Sequence, residues 1–163
     1  MFKATGKLIY DPRSEAASRK GFQSWWMILD TPESIPYYYR YWLKREIGLS
    51  LNAPVWRSHV TVCRGEVPKK QWNWKKYEGR RITFEYSPEI KLSETYAWLS
   101  IYSRELEEIR VELGLAPQPF VKFHLTCGNT KNKPEPKQRV CTAVTFPWER
   151  PEIVDRLVRG KWN

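Results

Sequence analysis

Apolar and polar positions alternate along several short stretches of this chain and recur every three to four residues along two others. The first period marks strands and the second marks helices. Residues 4–10 (Ala-Thr-Gly-Lys-Leu-Ile-Tyr) read as a first strand, and residues 25–30 as a second. Asp11-Pro12 and the polar residues up to Gly21 read as the loop between them. Ile35, Tyr39, Trp42, Leu43 and Ile47 then fall on one helical stripe. Ser34 is placed to cap that helix, Pro36 lies in its first turn and Gly48 is placed to end it. A strand over about 58–64 follows.

Residues 65–80, rich in Lys, Trp and Gly, read as a long loop. Ile82, Phe84 and Tyr86 alternate with Arg81, Thr83 and Glu85, the pattern of a half-buried strand. Another strand is expected over 95–102. Ser103 can cap a second helix whose apolar side is Leu106, Ile109 and Leu113, with Gly114 at its end. The remaining expectations are a strand over about 121–127, a polar loop over 129–138, a last strand over 140–146 and a short terminal helix over 151–158.

One pattern occurs twice. Strand, helix and strand follow one another at 25–30, 35–47 and 58–64, and again at 95–102, 104–113 and 121–127. The last strand of each unit carries His-x-Thr, and a proline stands five residues before each histidine: Pro54 before His59 and Pro119 before His124. A repeated β-α-β unit predicts an α+β fold of two pseudo-twofold-related lobes, with equivalent residues facing each other across a central cleft. Residues 1–163 read as one such bilobed domain.

The two triplets use every histidine in the chain. On a strand, residues i and i+2 share a face. His59 and Thr61 therefore point together, as do His124 and Thr126, while Val60, Val62, Phe123, Leu125 and Cys127 point to the face that helices can cover. Displacement at a phosphodiester needs one group to take a proton from the nucleophile and another to protonate the leaving oxygen. Two imidazoles titrating near neutrality can do both. Two threonine hydroxyls can donate to the phosphoryl oxygens. No metal and no cofactor is needed for that chemistry.

Composition and charge narrow the setting. The chain has 163 residues, 41% hydrophobic and 15% aromatic, enough apolar surface for a folded core. Cys63, Cys127 and Cys141 lack Cys-x-x-Cys spacing and form no zinc-like cluster, so they read as reduced, half-buried thiols. No apolar run approaches a membrane span, and the first residues lack the apolar stretch of a secretory signal. The expectation is a cytoplasmic protein with no membrane association and no evident protein partner. A formal net charge of +10 favours a polyanionic or phosphate-bearing ligand.

The two His-x-Thr motifs resemble those of the two-histidine phosphoesterase superfamily. It includes bacterial RNA ligase-like proteins, 2′,3′-cyclic nucleotide phosphodiesterases and the nucleases that trim small nuclear RNA. The resemblance covers about residues 25–127. The segment from Pro54 to Glu66 resembles a phage-encoded branch often described as "Swiss-army-knife" RNA-repair-like, and some phage members cleave the cyclic nucleotides of bacterial immune signalling. For a phage-encoded chain the compartment would be the host cytoplasm. The resemblance implies a bilobed fold with one motif per lobe and metal-independent catalysis. It implies that His59 and His124 are catalytic, and that Thr61 and Thr126 bind phosphate. In hydrolysis of a 2′,3′-cyclic phosphate it makes His124 the base and His59 the acid, the roles exchanging when a ribose 2′-hydroxyl attacks.

Beyond the motifs, Arg57, Arg64 and Lys122 flank the site strands. In a regular strand Arg64 faces away from His59, and Lys122 shares the face of His124. Trp72, Trp74 and Tyr77 interleave with Lys69, Lys70, Lys75 and Lys76, as in a loop that stacks a base, although lobe packing explains such aromatics better, since Trp usually buries. The expected activity is a phosphodiesterase acting on RNA or nucleotide phosphodiesters, foremost 2′,3′-cyclic phosphate ends. The alternatives are cyclic oligonucleotide signals as substrate, the ligase direction of the same chemistry, and a non-catalytic nucleic-acid-binding module.

Overall fold

A computed structural model of the chain describes residues 1–12 and 25–131. The strand expected over 140–146, the helix over 151–158, Cys141 and most of the 129–138 loop lie outside the described residues. Among the described residues there are six strands: β1 (Phe2–Tyr10), β2 (Trp26–Asp30), β3 (His59–Arg64), β4 (Arg81–Leu92), β5 (Tyr96–Tyr102) and β6 (His124–Asn129). Helix α1 (Ser34–Ile47) joins β2 to β3, and α2 (Arg104–Glu112) joins β5 to β6. A single 3₁₀ turn, Gln71–Asn73, interrupts the long loop.

The strands close on themselves in the order β1-β2-β3-β6-β5-β4, and β4 returns to pair with β1. Every neighbouring pair is antiparallel. The two β-α-β units are therefore two adjacent antiparallel strand pairs, β2–β3 and β5–β6, that meet where β3 lies beside β6. Closure brings β1 close to β2 at Gly6. A Cβ there would stand 2.6 Å from the Asp30 carbonyl oxygen and 2.7 Å from the Leu29 side chain, so glycine alone permits the approach.

The helix ends follow local chemistry. Ser103 accepts the Leu106 amide at the start of α2, and Gly114 follows that helix at φ +76°. Gly48 ends α1 in the left-handed region, with its amide on the Leu43 carbonyl. The start of α1 departs from expectation. Glu33, and not Ser34, stands at the cap position, and no side chain caps the helix. The Glu33 carboxylate is engaged elsewhere: it accepts the Ser58 amide at 2.6 Å, next to His59.

One apolar core joins the sheet to both helices. Met27, Leu29, Val60, Val62, Leu99, Leu125 and Cys127 pack with Ile35, Tyr39, Trp42 and Leu43 of α1 and with Leu106 and Ile109 of α2. The helices cross over: α1 lies against β6, and α2 against β3. Each helix thus supports the histidine strand of the other half.

Candidate active site

β3 and β6 pair with Val60 opposite Leu125, and both residues are fully buried. Continuing that register by one residue sets His59 opposite Thr126 and Thr61 opposite His124. These four are half-buried, on the face away from the helices. The two histidines are then diagonal neighbours, a spacing of about 7–8 Å between paired strands. Two imidazoles and two hydroxyls alternate around one patch wide enough to receive a phosphate between the rings.

Both rings are held by the same bond. His59 Nδ1 lies 2.8 Å from the carbonyl of Arg57, and His124 Nδ1 lies 2.9 Å from the carbonyl of Lys122, in each case two residues back. A carbonyl can only accept, so Nδ1 carries the proton and donates it. Nε2 is left as the atom that takes or gives a proton, and the ring angle is fixed. The residue before each histidine is anchored alike: Thr31 N–H donates to the Ser58 carbonyl and Ile101 N–H to the Phe123 carbonyl, both at 3.0 Å. Ser58 is further tied through its hydroxyl to that of Thr31 at 2.7 Å.

The halves share a β-bulge as well. Ile28 pairs with Thr61 but Met27 pairs with Cys63, so Val62 is an extra residue in β3. Trp98 pairs with Thr126 but Ala97 pairs with Gly128, so Cys127 is an extra residue in β6. Each extra residue lies three past its histidine. A bulge reverses the facing of the residues beyond it. Arg64 is therefore turned onto the histidine face, contrary to the regular-strand expectation: it pairs with Trp26, and its guanidinium lies 5.2 Å from the Trp26 ring centroid.

A bulge residue loses its ladder partner, and an arginine replaces it in both halves. Arg110 of α2 donates to the Val62 carbonyl at 2.6 Å, and Arg40 of α1 donates to the Cys127 carbonyl at 2.7 Å. Arg110 is fully buried. It also grips Glu66 through two nitrogens at 2.8 and 2.9 Å, and the Ala116 carbonyl at 2.8 Å. Sequence reasoning missed Arg40 and Arg110 because both look like ordinary helix-surface charges.

The register also reveals who shares the site face. Paired residues of antiparallel strands point the same way. Asp30 is opposite His59, Ile28 opposite Thr61, Ser100 opposite His124 and Trp98 opposite Thr126. The Trp56 ring stands with its centroid 4.8 Å from that of His59, edge-on, and 5.2 Å from that of Trp26. Burial among these groups holds His59 below the ordinary imidazole range. The Arg57 carbonyl opposes that shift, the charges of His124 and Arg64 add to it, and Asp30 opposes it weakly.

The other sequence candidates divide. Arg57 is exposed and ion-paired with Asp30 at 3.1 Å, beside His59. Lys122 is exposed and precedes β6, which begins at His124 and not near 121; the side chain therefore has no strand geometry to aim it. Trp74 and Tyr77 are half-buried. Both pack against the main core, where Trp74 sits edge-on to Tyr10 and Trp25 and donates to Asp11 at 3.2 Å, and Tyr77 donates to Glu112 at 2.7 Å. Trp72 is 78% exposed on the 3₁₀ turn, on the same loop.

Cys63 and Cys127 are buried thiols; burial foremost, with Glu66 adding, pushes Cys63 up to about 11, and burial raises Cys127 too. Among the described residues no group of three or more His, Cys, Asp or Glu is arranged to hold a metal ion, and no helix is long and apolar enough to cross a membrane.

The segments that lead into the two histidines match as well. Pro54-Val55-Trp56-Arg57-Ser58-His59 and Pro119-Phe120-Val121-Lys122-Phe123-His124 align as proline, two apolar residues, a base, any residue and histidine. No family model matches the chain, and no curated protein or solved structure is detectably similar to it.

Proposed function

We propose that the chain is a metal-independent phosphodiesterase of the two-histidine phosphoesterase kind, acting on RNA or nucleotide phosphodiesters, with the 2′,3′-cyclic phosphate end as its simplest substrate. In this reading its two β-α-β halves are the two lobes of that fold, and their meeting at β3 and β6 is the catalytic centre. The observation that carries it is the matched fixing of His59 and His124, each by its Nδ1–H on the carbonyl two residues back. Two imidazoles with Nε2 free for proton transfer, and two hydroxyls between them, are the groups that phosphoryl displacement needs.

In hydrolysis of the cyclic phosphate, water attacks phosphorus as the base imidazole takes its proton. One P–O bond to the ribose breaks, and the leaving oxygen takes a proton from the second imidazole. Thr61 and Thr126 donate to the non-bridging oxygens, where negative charge grows in the transition state. The formal charge of +10 raises the encounter rate with such substrates.

The test is turnover of an RNA oligomer ending in a 2′,3′-cyclic phosphate, in excess chelator. The expected result is opening to a single monophosphate ester, retained in chelator and lost in His59→Ala and in His124→Ala. Tight binding of the oligomer without turnover would identify a binding module instead. Turnover that stops in chelator and returns with one divalent ion would remove this mechanism.

A further inference from the structure

Strands β2, β3, β6 and β5 run side by side and share the histidine face, and the aromatic residues on it differ in kind from those elsewhere. Trp25, Trp74 and Tyr77 pack against the main core. Trp56 and Trp98 do not belong to that core, yet both are half-buried and stand at the site: Trp98 opposite Thr126 by register, Trp56 edge-on to His59. They flank the histidine–threonine patch from opposite sides, one against β2 and β3 and the other on β5. Each indole also has a cation beside it. Arg57 lies over the Trp56 ring, 6.0 Å from its centroid, and Lys91 of β4 is paired directly with Trp98.

An aromatic ring with a neighbouring cation is how a nucleotide is held without base-specific readout: the base stacks, and the backbone phosphate meets the charge. We propose that the site takes a ribonucleotide phosphodiester with a nucleoside on each side of the scissile phosphorus, one base stacking on Trp56 and the other on Trp98. This rests on the phosphodiesterase reading above and specifies its substrate as an internal linkage. A terminal cyclic phosphate has no second nucleoside and would leave one of the two platforms empty.

The step needs no co-reactant. The ribose 2′-hydroxyl gives its proton to His59 Nε2 while its oxygen bonds to phosphorus. The bond from phosphorus to the 5′-oxygen of the next nucleoside breaks, and His124 Nε2 protonates that oxygen. The products are a 2′,3′-cyclic phosphate and a free 5′-hydroxyl. Hydrolysis of the cyclic phosphate follows with the two histidines exchanging roles. Burial lowers the His59 pKa and so favours the neutral imidazole that the base role in the first step requires. A 3′-to-5′ linkage between two ribonucleosides is found both in linear RNA and in small cyclic oligonucleotides, and the chemistry is shared.

The test compares kcat/KM, in chelator, for a linear diribonucleoside monophosphate and two analogues in which one or the other ribose is abasic. A cyclic diribonucleotide runs alongside, and the faster of the linear and cyclic forms identifies the source of the linkage. In the wild type each abasic analogue is expected to be slower by about tenfold or more, the scale of one base stacked on an aromatic ring. Trp56→Leu and Trp98→Leu keep an apolar side chain and remove the ring face. Each should abolish the penalty for one analogue, and the two variants should not affect the same one. Intact and abasic substrates of equal rate, or both variants slowing every substrate alike, would overturn the proposal. Failure of the parent reading looks different: no substrate, including a nucleoside 2′,3′-cyclic phosphate, would be turned over in a manner that depends on His59 and His124.

Discussion

The guanidinium of Arg110 donates to the carbonyl of Val62 over 2.6 Å, from a helix of one half to the motif strand of the other. Arg40 repeats the arrangement on Cys127 in the opposite direction. Each bond is made to the extra residue of a bulge, so the arginines hold the kink that sets the facing of what lies beyond it. They also tie the halves to each other, since each helix braces the strand it did not lead into.

Arg110→Met is expected to lower stability by about 2–4 kcal/mol, because it leaves the buried Val62 carbonyl without its donor and the Glu66 carboxylate, 37% exposed and so partly hydrated, without its ion pair. Arg40→Met should cost less, about 1.5–3 kcal/mol, the range of one hydrogen bond to a charged group. Urea midpoints measure both. In Arg40→Met protein shown to be folded, kcat should fall with little change in KM, since the residue lies on the helix side of β6.

Thr61→Val and Thr126→Val keep the branched shape that suits a strand and delete the donor. Neither should unfold the protein. The double variant is expected to lose about 10²–10³ in kcat, the scale of a lost oxyanion donor. Near-normal kcat in the double variant would remove the hydroxyls from the mechanism.

Burial, first among its causes, depresses the pKa of His59 in the folded protein below the ordinary value of 6.5. Between those two values the unfolded chain binds the proton and the folded one does not. The sign follows: stability is greatest above the unfolded pKa, declines as pH falls through it, and levels off below the folded pKa. His59→Gln should flatten that decline, read as urea midpoints from about pH 7.5 to about pH 5. A decline of equal depth in the variant would mean that other groups cause it.

Arg64→Met should raise the pKa of His59, because the Arg64 charge is one of the forces lowering it. A histidine titration followed by NMR should show the midpoint move up in the variant. An unchanged midpoint would mean that Arg64 stands too far from the ring to act on it.

Much of this arrangement could be read from the sequence, since it depends on residue type and spacing. The six strands and two helices lie near where apolar periodicity put them, and Ser103, Gly48 and Gly114 act at helix ends as their chemistry dictates. What could not be read depends on register. Val62 looks like one more alternating apolar residue, and only its missing partner on β2 makes it a bulge and brings Arg64 to the site face. Trp98 and Trp74 are equally aromatic in the sequence; pairing with Thr126 puts one at the site, and contact with Tyr10 and Trp25 buries the other against the core. Glu33 is spent on the Ser58 amide, a contact 25 residues away in sequence, and Ser34 is drawn inside the helix it was placed to cap.

The most direct test of the paired-histidine centre is the pH dependence of kcat/KM in chelator, for the wild type and for the two single-histidine variants, with chemistry rate-limiting. One imidazole must be neutral and the other charged, so the wild type should trace a bell with both limbs governed by the histidine pair. His59→Ala and His124→Ala should each lose about 10²–10⁴ in rate and each abolish one limb in the activity that remains. A flat wild-type profile from about pH 5 to about pH 9, or a bell that survives the loss of either histidine, would contradict the account.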